Sequence, residues 1–578
     1  MVDPRIYRIA FAPALVALVI LMFSVEAIPE PVQAPETFAA DFDGRRAAAT
    51  TRRLVEEAPT RAPGSEGDDA TADAVADRFG QIEAGKVSEQ SFDGSFDGED
   101  VELRNVLLTL PGNSSRTIVV VAGRDSARGS GATSSAAATG ILLEMADEIG
   151  RTSHDKTIVL LSAGGTSEGA TGIREFIESY PTIELVDSVV VIARPGTGEP
   201  APPHVLQWSA GPESTAAQLA ESAKLALSEE TDQPLGQGGF LGGLFRLAFP
   251  AGLGLEAVAI SEGLDAIGIS GAGERPPEPA DDDVGSLSDE TMGEFGNTAL
   301  ALVLALDGAG DLTHGPGTHL ALAGNLIPGW ALALLTLTLL LPALVASVDG
   351  MARASRRREP ALAALGWALT RSLPFVAALG LAYLLALVGL APDPSFPFDP
   401  GLYGFGWRAA AVIVALLAAA IATAMLVRAF ALPASAMRET LATALGVVAS
   451  LAVLGIWFVN PYLALLCIPL AHVWLLGARP AGAASVLVTV AATLFALVPT
   501  AAALVHLAER LGLGAEAPWT LVLLVTGGQI GLMEAVLGCF LAGTVLGLLA
   551  LAMPRSGARA GRESTLVAGR PPAASSPR

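Results

Sequence analysis

The chain has 578 residues, 51% of them hydrophobic, with a formal net charge of −23 and two cysteines. The acidity excludes a nucleic-acid partner, because a phosphate backbone needs a basic footprint. Both cysteines, Cys467 and Cys539, fall in apolar runs, which excludes a disulfide framework for the polar half. Residues 9–25 form one uncharged apolar run, and from 326 to 553 such runs follow one another. Each approaches the roughly 20 residues that cross about 30 Å of hydrocarbon. Spans are expected at 9–26, 327–348, 372–391, 409–427, 440–459, 462–478, 482–505 and 530–553.

Arginine placement orients them. Arg5 and Arg8 precede the first span, and Arg353, Arg356, Arg357 and Arg358 follow the second. Arg428 with Arg438, then Arg479, then Arg555, Arg559 and Arg562 fall at every second connection. The positive-inside rule then puts both termini in the cytoplasm and residues 30–323 outside. Val25-x-Ala27 also passes as a signal-peptidase site, but the length of the run favours a retained anchor. The expected organisation is an anchor at 1–29, an exported domain at 30–310 and a linker at 311–325. A seven-span membrane domain follows at 326–554, then a basic, disordered cytoplasmic tail at 555–578. Lys86, Lys156 and Lys224 are the only lysines, and runs such as EGDD, FDGED and ADDDVGSLSDE are dense in carboxylates. Such a surface holds hydration in concentrated salt. It fits a salt-loving archaeon, with an acidic protein of an ordinary high-GC bacterium as the alternative.

Within 50–306 the pattern alternates strand and helix. Residues 68–79 place their apolar positions on one helical face. Runs at 104–110, 117–122, 157–162 and 187–193 read as buried strands. The expected class is α/β, a mixed, mostly parallel sheet covered by helices, joined to an all-α polytopic membrane domain.

The stretch 117–144, TIVVVAGRDSARGSGATSSAAATGILLE, resembles the strand, loop and helix of the aminopeptidase-type di-zinc exopeptidases. So do RAPGSEGDDATADAVADRF, RNVLLTLPG, TIVLLSAGGTSEGATGIREFIES and LDAIGISGAGERPPEPADDD, in order, over about 250 residues. The resemblance implies two zincs held by His, Asp, Glu, Asp and His, with a second Glu as general base. Zinc needs such donors converging within about 2.0–2.2 Å. The residues in those places are different. Gly123 stands for the first His, and Asp125 keeps the acid that follows it. Ser134 and Ser135 stand for the Asp pair, the bridging Asp falling on Ser135, and Thr166 and Ser167 for the Glu pair, with Glu168 one place late. Arg194 stands near the later Asp and Pro277 near the last His. The expectation is a vestigial cleft without metal or cofactor, whose four hydroxyl residues offer hydrogen bonds to a chain end. Ser134 and Ser135 as nucleophiles lack a base placed by sequence, and helix N-caps are commonly Ser or Thr. His314 and His319 with Asp311 offer a surface metal site, though solvated linker residues are the plainer reading. His154 precedes a strand, away from the ligand edge, and His204 follows a proline loop.

In the membrane half, Glu534 lies early in the last span, after a helix-breaking Thr526-Gly527-Gly528-Gln529. Intramembrane carboxylates are costly and commonly functional. Gln529 and Glu534 are therefore a candidate lipid-headgroup or partner site, with an inter-helix hydrogen bond as the alternative. His472 and Trp474 read as packing and interfacial anchoring, and Arg371 as a snorkelling residue. The whole plan of one span, a peptidase-like domain without its ligands and seven spans resembles the GPI-anchor attachment subunit of GPI transamidase. That resemblance implies a non-catalytic scaffold in the cell membrane that presents a lipid anchor, or an exported protein substrate, to a separate catalytic subunit. Its implied partners are membrane lipids, a glycolipid anchor among them. An active exopeptidase with a rearranged metal site and a transporter with an exported sensor domain are the alternatives.

Overall fold

The computed structural model describes residues 4–34, 42–198, 202–231, 233–236, 239–271, 273–274, 279–310, 316–429, 438–477 and 483–552. Pro277, Asp311, His314, Arg479 and the tail from 553 onward lie outside the described residues.

The chain opens with helices α1 (Pro4–Ile9) and α2 (Ala12–Phe23), then a two-residue strand β1 (Glu26–Ala27). The break before Pro13 makes the first apolar helix shorter than the 9–26 run suggests. The α/β domain follows with α3 (Gly44–Glu57), α4 (Glu66–Phe79), β2 (Lys86–Phe96), β3 (Glu99–Leu110), β4 (Thr117–Gly123), α5 (Ser135–Ile149) and β5 (Thr157–Ala163). It continues through α6 (Thr171–Ser179), β6 (Val186–Ala193), β7 (His204–Leu206), α7 (Ala217–Glu230), α8 (Phe240–Ala248), α9 (Leu255–Ser261), β8 (Ala266–Ser270) and α10 (Asp289–Gly308).

Seven strands form one sheet in the order β2-β3-β5-β4-β6-β8-β7. β5, β4, β6 and β8 run parallel, and the β2–β3 hairpin and β7 add antiparallel edges. Asp97 and Gly98 turn the hairpin with φ of 53° and 77°, the left-handed pair that a two-residue connection favours. The central strands are continuous in Val, Ile and Leu because both faces are covered. Along β4, Ile118, Val120 and Ala122 join a core with α3, α4, α5, α7 and α10. Val119 and Val121 face α6 and α9 on the other side. Local capping fixes the helix starts: Asp43, Ser65 and Ser288 each accept a backbone N–H three residues on.

Strands β9 (His319–Leu322) and β10 (Asn325–Pro328) lead into the helical half. β1 pairs with β10 and β10 with β9, so a small ribbon ties α2 to the start of the next helix. That half contains α11 (Gly329–Arg356), α12 (Ala361–Thr370), α13 (Leu373–Leu387), α14 (Trp407–Ala429), α15 (Arg438–Val459), α16 (Pro461–Gly477), α17 (Ala483–Arg510), α18 (Ala517–Thr526) and α19 (Leu532–Ala552). Among the described residues five helices are long and apolar enough to cross a membrane, or six if the bent α12–α13 pair is one span. Tyr7–Phe23 and Pro461–Leu476, where two further spans were expected, are shorter apolar helices. Residues 361–370 form a helix that the span pattern did not anticipate. The Gly-Gly break does separate α18 from α19, with Gly528 at φ 76°. Small residues let α11, α15, α16 and α19 approach closely, and Trp474 is buried against Gly446 in their core rather than at an interface.

Polar side chains at helix ends reach the end of α8 and the turn after it. Asn460, buried between α15 and α16, donates to the carbonyls of Leu247 (3.0 Å) and Ala248 (3.3 Å). Its own carbonyl accepts from the N–H groups of Tyr462 and Leu463. Replacing it strands buried backbone groups on both sides. Asn460→Ala is expected to lower stability by about 1–3 kcal/mol, read as a lower Tm in detergent. An unchanged Tm would show that the two halves dock without this bond.

Candidate functional site

The parallel strands β4, β5, β6 and β8 end together, and the chain leaves β4 by α5 on one face and β5 by α6 on the other. In open α/β sheets that reversal opens a crevice at the carboxyl ends of the strands. A cleft of about 240 Å³ lies there, lined by Gly123, Asp125, Ser134, Ser135, Thr166, Ser167 and Arg194. The sequence therefore brings seven of its nine cleft residues together, although they span some 70 positions of chain.

Their hydrogen bonds are directed inward. The Asp125 Oδ1 accepts from the Thr166 N–H (2.9 Å) and hydroxyl (2.6 Å), and Oδ2 from the Ser167 N–H (3.0 Å) and hydroxyl (2.6 Å). Asp282 repeats the pattern at the start of α5. Its Oδ1 accepts from the N–H groups of Thr133 (2.8 Å) and Ser134 (3.1 Å) and from the Thr133 hydroxyl (2.8 Å). Its Oδ2 accepts from the Ser134 hydroxyl at 2.6 Å. Ser134 makes no side-chain cap bond to its helix, and its hydroxyl goes to the distant Asp282 carboxylate instead. Hydroxyls expected to be free for a chain end are thus committed within the protein.

A buried cation completes the arrangement. The Arg61 guanidinium, fully buried, donates to Ser135 Oγ (3.2 Å), the Arg124 carbonyl (3.0 Å) and the Ala58 carbonyl (3.1 Å). Burial pushes its pKa down, and the charges of Asp125, Asp282 and Asp68 oppose that. Arg124, equally buried, pairs with Asp68 at 2.8 Å. At Gly123 a Cβ would lie 2.8 Å from the Thr166 hydroxyl, so Thr166 fills the space a longer side chain would need. No histidine or lysine among the described residues lines the cleft, and the group bonded to the Ser134 hydroxyl is the Asp282 carboxylate.

Glu168 is a correction to the sequence reading. It turns away from the cleft and accepts from the Tyr403 hydroxyl (2.7 Å) and the Ser395 N–H (3.3 Å), in the loop between α13 and α14. That loop also brings Pro397, Phe398 and Asp399 over the cleft mouth, held by Arg128 to Asp399 (2.7 Å) and by the Gly169 N–H to the Pro397 carbonyl (2.7 Å). Arg194 lines the cleft with a left-handed backbone, φ 50°. Pro277 lies outside the described residues. Asp282, Arg61 and the 391–406 loop were not singled out from sequence. Asp282 lies in the run ADDDVGSLSDE, read from sequence only as carboxylate-dense surface.

The other candidates are occupied within the protein. Gln529 donates to the carbonyls of Ala210 (2.6 Å) and Pro250 (2.9 Å), so its amide is spent on the α/β domain rather than on a lipid. Glu534 accepts from the Gly531 N–H at 3.2 Å, in the first turn of α19, where a carboxylate satisfies an orphan donor. His154 is buried and bonded to the Ile149 carbonyl, and His319 lies 3.3 Å from the Ser214 hydroxyl. Of the candidate surface metal site only His319 is described. Among the described residues no three His, Cys, Asp or Glu side chains group as metal ligands.

No family model matches this chain, and no curated protein does. Among solved structures it is similar to a glutaminyl cyclase from an Acidobacteriales bacterium, at 17% identity and TM-score 0.39 over 48% of this chain and 99% of the other. It is also similar to a zinc aminopeptidase from Bacillus subtilis, at 13% identity and TM-score 0.38 over 46% and 95%. LapB from Legionella pneumophila gives 16% identity and TM-score 0.40 over 50% and 80%. Each likeness leaves about half of this chain unmatched.

Two outcomes follow from the cleft. Asp125→Ala strips the partner from two N–H groups and two hydroxyls at a buried turn, and is expected to cost about 2–4 kcal/mol in thermal unfolding. A loss below about 0.5 kcal/mol would show that water replaces the carboxylate freely. Glu256, also lining the cleft, is almost wholly buried, and burial pushes its carboxyl up to about 8, with the Glu274 charge adding to this. A raised folded value favours the protonated form. Its contribution is full below the unfolded value near 4.5 and is lost as pH rises through 8. Glu256→Gln should therefore gain on the parent protein as pH rises from about 6 to 9, by a few kcal/mol at most. Parallel Tm–pH curves would contradict the burial argument.

Proposed function

We propose that this chain is a multi-pass membrane protein whose α/β domain is a non-hydrolytic scaffold of zinc-exopeptidase ancestry. The apolar helices embed it, and the acidic domain stands outside the cell. The scaffold presents a lipid anchor or an exported protein substrate to a separate catalytic subunit, as the resemblance to the GPI-anchor attachment subunit implies.

The observation that carries the reading is the state of the donors. Zinc is the metal that the resemblance implies, and the residues in its place do not fit it. Gly123 and Ser135 offer no anionic or imidazole donor, and zinc sites are built from those. Asp125 already accepts four hydrogen bonds and Asp282 another four. The Arg61 guanidinium bonded to Ser135 puts a fixed positive charge where a dication would have to sit. Freeing either carboxylate would leave buried N–H groups unpaired, at about 1–3 kcal/mol each. The 391–406 loop supports the scaffold role, because it joins the cleft mouth to the helical half.

The purified full chain in high-salt detergent buffer, supplied with zinc, should release no product from aminoacyl-coumarin or N-terminal glutaminyl peptides above a protein-free blank. Turnover abolished by a chelator would contradict the proposal and restore the exopeptidase alternative.

A further inference from the structure

A second and larger cavity, of about 530 Å³, lies at the seam of the two halves. The edge strand β7, helix α8 and strand β9 form its upper walls, and the last turn of α17, with His506 and Arg510, forms its floor. It shares Leu206, Gly273 and Glu274 with the strand-end cleft but none of the hydroxyl network there.

Its described lining sets Arg246, Arg510 and Lys224 against Glu221, Glu274 and Glu509, but the guanidinium groups are not fully bonded. Arg246 is buried, pairs with Glu274, and stands 5.9 Å from the Trp208 ring centroid. Arg510 reaches the Ala251 carbonyl at 3.3 Å, and its Nε and Nη1 are buried without a hydrogen-bond partner. The Nε of Arg246 is likewise buried and unbonded. Among the described residues, Glu274 is a carboxylate that faces both guanidinium groups. Burial pushes it up, but Arg246 and Arg510 outweigh this and hold it below its ordinary value. The other acid–base neighbours in the wall, Glu221 and Lys224, neutralise each other at 2.7 Å. Glu509 is at the exposed rim, and His506 packs on the Phe245 ring at 5.9 Å. The buried, unbonded Nε of Arg246 and the Nε and Nη1 of Arg510 leave donors for one more anion.

What leads to the cavity is apolar. Leu487, Leu494, Val498 and Val505 are exposed on α17 at spacings of seven, four and seven, which puts them on one face of the helix. The stripe ends one turn below Glu509 and Arg510. α8, in the upper wall, turns Leu241 outward and Arg246 inward. An acyl-binding stripe that ends at a cavity with unbonded guanidinium donors matches an amphiphile with an anionic head.

We propose that this seam cavity binds the phosphate headgroup of an anionic membrane lipid, set between Arg246 and Arg510, with its chains along the exposed stripe of α17. The inference rests on the reading of the apolar helices as membrane spans, and it is independent of whether the strand-end cleft is catalytic. A charge-assisted phosphate contact inside a low-dielectric wall supplies affinity, and the apolar stripe selects lipid over a soluble anion.

Dioleoyl phosphatidylglycerol titrated into the full chain in non-ionic detergent, followed by native mass spectrometry, tests it. One lipid per chain should be retained at saturation, with dioleoyl phosphatidylcholine at least tenfold weaker and inorganic phosphate unable to displace it. Arg510→Gln should weaken retention about tenfold or more, the size of one charged hydrogen bond. Gly239→Trp fills the cavity from a position with open space around it and leaves every charge in place, so it carries the test if Arg510→Gln fails to fold. Equal retention of phosphatidylcholine, or unchanged retention in the folded variants, would overturn the proposal. Displacement by inorganic phosphate at the lipid's own concentration would overturn the lipid assignment, because the stripe would then contribute nothing.

Discussion

The interaction on which the rest depends is the saturation of two buried carboxylates by main-chain and hydroxyl donors. Asp125 ties the loop after β4 to the loop after β5, and Asp282 ties the segment after β8 to the start of α5. Each turns a crevice between strand ends into a closed network. A charged acceptor with four donors is well satisfied without any ion, and removing its donors is expensive in a water-poor site. Arg61 is buried near both and offsets part of their negative charge. A cleft built this way is suited to holding shape rather than to binding a dication, and that is the physical content of the scaffold reading.

The same closure couples the two halves. Loop 391–406 leaves the helical half, covers the cleft mouth, and gives Glu168 a hydrogen-bonded place away from the strand ends. On the other side Gln529, Asn460 and Arg510 all reach carbonyls between Ala210 and Ala251. Polar side chains at apolar helix ends are most valuable where water is scarce, and here three of them reach the end of α8, the turn after it and Ala210. The α/β domain and the helical half are therefore joined by long-range hydrogen bonds both at the cleft and at the helix ends.

Much of this was legible in the sequence because the deciding forces are local. Unbroken Val, Ile and Leu runs marked β4, β5 and β6, since only strands covered on both faces need such runs. Gly527-Gly528 marked the break before α19. That the residues at 123, 134, 135, 166 and 167 share one cleft followed from the order and spacing of the strands. What was hidden depends on distant pairs. Asp282 lay in an acidic run that reads as solvated surface, and only the fold brings it to Ser134, some 150 residues earlier. Gln529 looked available for a lipid because its acceptors lie 319 and 279 residues away. Composition finds an apolar run but does not fix helix length, and Pro13 shortens the first run.

The account turns on whether the strand-end cleft still accepts zinc. The most direct measurement is the metal content of the purified full chain by elemental mass spectrometry, after equilibration with zinc and removal of the free ion. The account predicts zinc at background, well below one ion per chain. About two ions per chain, released by a chelator, would contradict it and identify a working metal site on this fold.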